Sequence, residues 1–438
     1  MNIKSNSRPP GAFPVSNRTQ HVSLFGAALT IMAMLYAHSG FATQNFVLYG
    51  LVIVSAMLAL SSSRPLQATK CFPFIAVFFL YGTISIAWSD SPKQTTGALA
   101  VAFAELVIGL WLGRLGGDRS SSRTVQLAFV SIAVACLISG ILVPELGNNA
   151  SDDGWHGLMS SKNELGIFAA FALLHVVTYG RRKGRIVRIV LLGLVLLLSR
   201  SQGALVAALA ALAIQLMASR IYFPKLRTHR LKHGRPLAFI AGVLVLVGTV
   251  WLVGGQLLAL LGKDATLTRR TDIWQVLLTW GELEPWFGGG FAAQLYSGSA
   301  MQSAIQMVAG PTVHTAHNGY IPVYLGLGWL GVTLFTVALW SVPLIIHRIR
   351  RLNVHATRTD VLYAIGTLVV YLVIAISEDT TFKRGALLCL MIAVGRLSRH
   401  VELHGGGHGD PSLMVASKLT SHLPQAVVIQ SKGRRDIS

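Results

Sequence analysis

Apolar runs about 20 residues long recur along this 438-residue chain. That is the length a helix needs to cross a hydrocarbon core roughly 30 Å thick. Backbone groups inside a bilayer find no water, so such runs are helices. Twelve are read as spans, centred in 22–38, 44–62, 72–89, 97–115, 124–144, 164–180, 186–199, 203–218, 237–258, 319–346, 361–377 and 385–397. Only 12% of the residues are charged, where a soluble domain carries about 25%. The expected fold class is an all-α, polytopic membrane protein. The tenth span is long enough to bend, and Pro322 and Pro343 are expected to bend it.

The formal net charge of +20 invites a nucleic-acid partner, but its distribution argues against one. If the N-terminus is cytoplasmic and the spans alternate, 29 of the 37 Lys and Arg fall on the inner side. This is the positive-inside pattern, and it places both termini in the cytoplasm. The basic residues are expected to order anionic lipid head groups. The first twenty residues are polar and hold Pro9, Pro10 and Pro14, so no cleavable leader is expected. Cys71, Cys136 and Cys389 lie at different depths and imply neither disulfide nor metal. The chain divides into an N-tail (1–21), a membrane domain (22–397) and a C-tail (398–438) expected to be disordered. His404 and His408 in that tail are read as solvated.

One long polar segment, 262–318 between spans nine and ten, departs from the short connections elsewhere. On this topology it is periplasmic. It holds Arg269-Arg270-Thr271-Asp272-Ile273-Trp274 near its start and His314-Thr315-Ala316-His317-Asn318 at its end. Thr268 or Thr271 could cap a helix running through Trp280, with Ile273, Trp274, Leu277, Leu278 and Trp280 suited to the membrane interface. The arginine pair either touches lipid phosphates or lines a diphosphate pocket.

A second outward station is the turn Ser199-Arg200-Ser201-Gln202 between spans seven and eight. Arg200 either snorkels or presents a guanidinium fork to phosphate oxygens, with Ser199 as an extra donor. Lys162, at the outer start of span six, adds a cation. His314 and His317 share a helical face, but no third metal ligand is spaced to join them. An imidazole there is either a satisfied polar group or a base, since histidine titrates near neutrality. Asn318 and Tyr320 follow, in a small, aromatic run that permits close approach of a helix or a glycan. Glu105 lies mid-span, where ionised groups are costly, so it is expected to face a partner inside the bundle.

At these residues the chain resembles the O-antigen ligase and polysaccharide polymerase superfamily. The resemblance covers about 75–395. It rests on Ala87-Trp88-Ser89, Lys162-Asn163-Glu164-Leu165-Gly166, Ser199-Arg200-Ser201, Arg270-Thr271-Asp272-Ile273-Trp274, Phe287-Gly288-Gly289-Gly290-Phe291, His317-Asn318-Gly319-Tyr320 and Gly328-Trp329-Leu330-Gly331. It departs from the family pattern at Arg269, where a small residue is more usual, and at Ser161, where relatives often have His.

The resemblance implies a GT-C-like bundle that works without metal or other cofactor. It further implies inverting glycan transfer from undecaprenyl diphosphate to an acceptor hydroxyl at the periplasmic face of the bacterial inner membrane. Carried over, Arg200 and Arg270 would hold the diphosphate and His317 would activate the acceptor. Arg269, His314, Asn318, Lys162, Ser199 and Tyr320 would line the substrate site. The partners implied are the lipid-linked donor, a glycan or lipid A–core acceptor, and a flippase and chain-length regulator of the same pathway. The motif wording looks closest to exopolysaccharide polymerases, with a ligase as the alternative. A secondary transporter is the rival from another class, but no repeat or midplane site supports it.

Overall fold

A computed structural model describes residues 53, 55–57, 59–115, 119–143, 154–180, 183–222, 267–295, 298–310, 315–351, 358–379 and 385–405. The spans read at 22–38 and 237–258, and most of 44–62, lie outside these residues, as do the tail from 406 onward and His314. The described elements are helical: α1 (Arg64–Cys71), α2 (Pro73–Ile84) with a 3-10 turn (Ser85–Trp88), α3 (Pro92–Leu115), α4 (Arg119–Leu142), α5 (Lys162–Tyr179), α6 (Arg185–Leu198), α7 (Gln202–Tyr222), α8 (Leu267–Gly281), α9 (Ala300–Ala309), α10 (Ile321–Arg351), α11 (Arg358–Ser377) and α12 (Ala386–Gly405).

Nine of these helices fall on spans read from hydropathy. Among the described residues, five are long and apolar enough to cross a membrane, or six if α1 and α2, bent by 104°, are one span. The helices sort by what surrounds them. In α5 every residue from Leu165 to Val176 is buried, so it runs through the middle of the bundle. The shorter α6 buries Leu192, Val195 and Leu196 and exposes Ile186, Val187, Val190, Leu194 and Leu197 on its other side. That apolar exposed stripe is a lipid-facing one.

The long helix α10 is broken, and at neither proline. Pro322 sits in the first turn, where its missing N–H costs nothing, and Pro343 lies within continuing helix. The break is at Gly328 (φ 62°, ψ −167°), in a region of backbone space open mainly to glycine. A break inside a span frees peptide groups that must find partners, and the segment 285–291 supplies them. Gly289 and Gly290 donate to the Leu325 and Gly326 carbonyls (3.0 and 2.8 Å), and Trp329 N–H donates to Pro285 O (2.8 Å). Gly288 (φ 65°) comes so close that a Cβ there would lie 2.5 Å from the Gly326 carbonyl carbon. The exit of α2 closes the hub: Trp88 Nε1 donates to Gly288 O (3.1 Å) and Tyr81 Oη to Leu327 O (3.2 Å). Trp88, Trp286, Phe287 and Trp329 are exposed around this hub, as aromatic residues are at a membrane–water boundary.

Two acidic side chains fix the last helix. Glu105 of α3 is buried and accepts from Gly385 N (2.8 Å) and Leu388 N (3.2 Å), which caps the start of α12. Asp360, near the start of α11, accepts from Tyr179 Oη (2.5 Å), lies 2.7 Å from His400 Nε2, and pairs with Arg396 and Arg399 at 3.6 and 3.5 Å. These contacts carry α12 through Ser398 to Gly405, beyond the boundary expected for a disordered tail.

Candidate functional site

The α5–α7 side of the site is built by a cap and a tight turn. Ser161 Oγ accepts from Glu164 N (3.3 Å) and starts α5, while Glu164 returns its carboxylate to Ser160 N (3.2 Å). This reciprocal cap leaves Asn163 on the first turn, pointing across the bundle. The turn 199–201 packs on Gly166, where a Cβ would lie 2.5 Å from that of Ser201. Arg200 sits at its apex, exposed and in the left-handed backbone region (φ 51°), a conformation an arginine holds at a cost. A Cβ on Gly154 would lie 2.8 Å from Lys162 Cδ and 2.6 Å from Ser199 O, so Lys162 and the turn adjoin. A Cβ on Gly203 would lie 2.6 Å from Ser377 Oγ, which brings the same turn to the end of α11.

The opposite side comes from α8 and the segment before α10. Ile273 and Leu277 of α8 bury against Met301 and Ile305 of α9 and against Ile321 and Leu325 of α10. The apolar face expected to lie in the membrane interface therefore makes a small second core, because α9 covers it; of that set only Leu278 is exposed. Trp274 Nε1 donates to Ala316 O (2.9 Å), which ties α8 to the His317 segment. Gly319 N–H donates to Ala375 O (2.7 Å), which ties that segment to α11.

Glu378, just past α11, is where these elements meet. Its Oε1 accepts from Asn163 Nδ2 (2.7 Å), lies 3.5 Å from His317 Nδ1 and 3.8 Å from Arg270 Nη2. Arg270 Nη1 also donates to Ser377 O (3.0 Å). A cation at the carbonyl end of α11 is favoured by the helix dipole. Glu378 is almost wholly buried (side chain 6% exposed), whereas Arg270 and His317 keep 26% and 27% exposure. The acid is thus interior and the two functional-looking groups are open. His317 has φ 48°, a second strained position at the site.

This arrangement has chemical consequences. A carboxylate beside Nδ1 favours the tautomer protonated there and leaves Nε2 as the proton acceptor. At 3.5 Å the contact is longer than a hydrogen bond, and such contacts commonly tighten when substrate binds. The guanidinium is held on one edge by Glu378 and a peptide carbonyl, which fixes its plane before an anion arrives. The pieces are therefore a positioned base and a positioned cation about one carboxylate.

Of the residues singled out in the sequence, Arg270 and His317 converge directly, and Lys162 and Arg200 border them. Ser199 does not join them. It is fully buried, with its hydroxyl donating to Leu196 O (2.7 Å) and accepting from Ser201 N (3.3 Å), so it builds the turn. Asn318 spends its side-chain oxygen on Tyr320 N (2.8 Å) and Ile321 N (3.1 Å) and caps α10. Tyr320 packs its ring against Phe335. Arg269 lies in α8, but its side chain is outside the described residues, and so is His314. Sequence reasoning missed Glu378 and Asn163 as site residues. The signal available for Asn163 was its place in the α5 motif; for Glu378 it was only an acid at the end of a span.

Comparison with known proteins bears on this geometry. Residues 187–336 match the O-antigen ligase family, a stretch that contains Arg200, Arg270 and His317. The chain is also similar to the exopolysaccharide production protein ExoQ of Rhizobium meliloti (strain 1021). The two are 24% identical over 333 residues, covering 72% of this chain and 74% of ExoQ.

Proposed function

We propose that the chain is a member of the O-antigen ligase and polysaccharide polymerase superfamily, on the match of residues 187–336 and the likeness to ExoQ, and that it polymerises envelope glycan. In this reading it transfers a glycan from undecaprenyl diphosphate to a hydroxyl of an acceptor sugar. The observation that carries it is the convergence of Arg270, His317 and Asn163 on Glu378. The acceptor hydroxyl attacks C1 from the face opposite the diphosphate, so the C1–O bond to phosphate breaks as the new glycosidic bond forms and the anomeric centre inverts. The hydroxyl proton passes to His317 Nε2. Arg270, with Arg200 on the neighbouring turn, takes up the charge that develops on the leaving diphosphate. Lys162 adds positive potential at the rim. A flat guanidinium suits this leaving group because it can bond two phosphate oxygens at once.

Polymerisation is preferred to ligation because the likeness to ExoQ, a protein named for exopolysaccharide production, extends over most of the chain. Ligation to lipid A–core is the second reading, favoured by the family's description. Purified protein in lipid nanodiscs, given undecaprenyl-diphosphate repeat units, is expected to produce a ladder of lengthened glycans. It should do so equally in EDTA, since among the described residues no cluster of three His, Cys, Asp or Glu is arranged for a metal. Transfer only to lipid A–core would establish the ligase reading instead. EDTA inhibition reversed by a divalent ion would overturn the metal-free mechanism.

The proposed setting is the bacterial inner membrane, with both termini cytoplasmic and residues 262–318 outside. The motive is the inner-side excess of Lys and Arg. A reporter fused at Ser299 should be active only in its periplasmic form, and a cytoplasmic signal there would reject this orientation.

A further inference from the structure

Helix α8 has two working faces. Arg270, Ile273, Trp274 and Leu277 lie on the side that meets α9, α10 and α11. Asp272, Gln275 and Thr279, spaced three and four residues apart, lie on the opposite side, and all three are exposed. None of these three side chains hydrogen-bonds to another described residue. With Val276 and Trp280 of the same helix and Leu283 just beyond it, they line an open, shallow cleft that Val308 of α9 borders on the other side.

We propose that this cleft is a glycan subsite, which holds a sugar remote from the reacting one. The inference rests on the glycan-transfer reading above and adds a second contact region to it. A pyranose ring presents an apolar face of C–H groups and an edge of hydroxyls. An indole beside a carboxylate, an amide and a hydroxyl matches both features: the ring lies on Trp280, and its hydroxyls reach Asp272, Gln275 and Thr279. A lipid chain would leave three free polar groups facing hydrocarbon, a costly arrangement. The cleft lies across the width of α8 from Arg270, about 10 Å for a helix with its side chains. A single sugar therefore cannot occupy both places. The subsite binds a neighbouring unit of the same strand, so binding energy from that unit is available to hold the reacting end against Arg270 and His317.

The test uses the full-length protein in nanodiscs and oligosaccharides of one and three repeat units, released by mild acid from the lipid-linked donor. Binding is followed by saturation-transfer NMR and calorimetry. Wild-type protein is expected to prefer the three-unit oligosaccharide. Gln275→Ala combined with Thr279→Ala removes about two hydrogen bonds at exposed positions and should weaken three-unit binding roughly tenfold. The preference for three units over one should shrink with it. Trp280→Leu keeps apolar volume against the second core, and loss of the preference in this variant would show that the aromatic face is used. Unchanged three-unit affinity in both variants overturns the subsite, as does quenching of Trp280 by brominated acyl chains with no response to sugar. Wild-type protein that forms no glycosidic bond with any lipid-linked donor would instead overturn the glycan-transfer reading itself.

Discussion

His317→Ala is expected to lower turnover of lipid-linked glycan by 100-fold or more while donor binding persists. A positioned base contributes roughly 10²–10⁴-fold, and His317 is the imidazole seated on Glu378 with its ring still partly open. The carboxylate gives this prediction a second arm. Glu378→Gln preserves shape and the contact with Asn163 but removes the charge beside Nδ1. It should depress kcat about tenfold or more, with a smaller effect on KM, because the imidazolium formed during proton transfer loses its counter-ion. Assays of purified protein at saturating and limiting donor measure both effects. Near-normal turnover of His317→Ala would make this residue only the strained start of α10.

Arg270→Ala is expected to abolish detectable product while the protein remains inserted and monodisperse after extraction. Two unit charges 4 Å apart interact by about 4 kcal/mol at an effective dielectric of 20, which corresponds to roughly a thousandfold in rate. The loss should exceed that simple figure in one respect. Removing Arg270 also takes a cationic neighbour from buried Glu378, which disturbs the site around that carboxylate. Arg270→Lys should restore only part of the activity, because a point charge replaces a planar fork. Arg200→Ala should reduce turnover in the same assay. Full activity of Arg270→Ala with an inactive Arg269→Ala would move the phosphate contact one residue along α8.

The helices were legible in the sequence because the bilayer imposes one length and one composition on every span. That rule does not depend on knowing which helices touch. The break in α10 was not legible in the same way. Proline is the usual suspect, yet Pro343 stays inside continuous helix. Gly328 breaks it because a segment some forty residues earlier offers carbonyls and N–H groups to the freed peptides. The Phe287–Phe291 run was visible as a motif, but its partner was not.

The site followed a similar pattern. Cations and a histidine near the ends of spans advertise themselves by rarity. Ser199 and Asn318 looked like ligand donors, yet small polar residues at turns and helix starts serve the local backbone first. Glu378 was hidden because nothing in its immediate sequence distinguishes it from a surface acid. Only the packing of α5, α8 and α11 makes it interior. The face of α8 that reads as interfacial is covered by α9, a contact no periodicity argument contains.

Helix α11 carries an ionic knot at each end, Asp360 with Arg396, Arg399 and His400 at one, and Glu378 with Arg270 and His317 at the other. Eighteen residues separate the two acids, about 27 Å of helix at 1.5 Å per residue, close to the hydrocarbon thickness of a bilayer. The rod is therefore moored to its own neighbours at both ends and does not float at a height chosen by lipid. In a thinner or thicker membrane the lipids must deform around it, because sliding by even one turn would undo both knots. Arg270 and His317 thereby keep a constant elevation relative to the rest of the bundle.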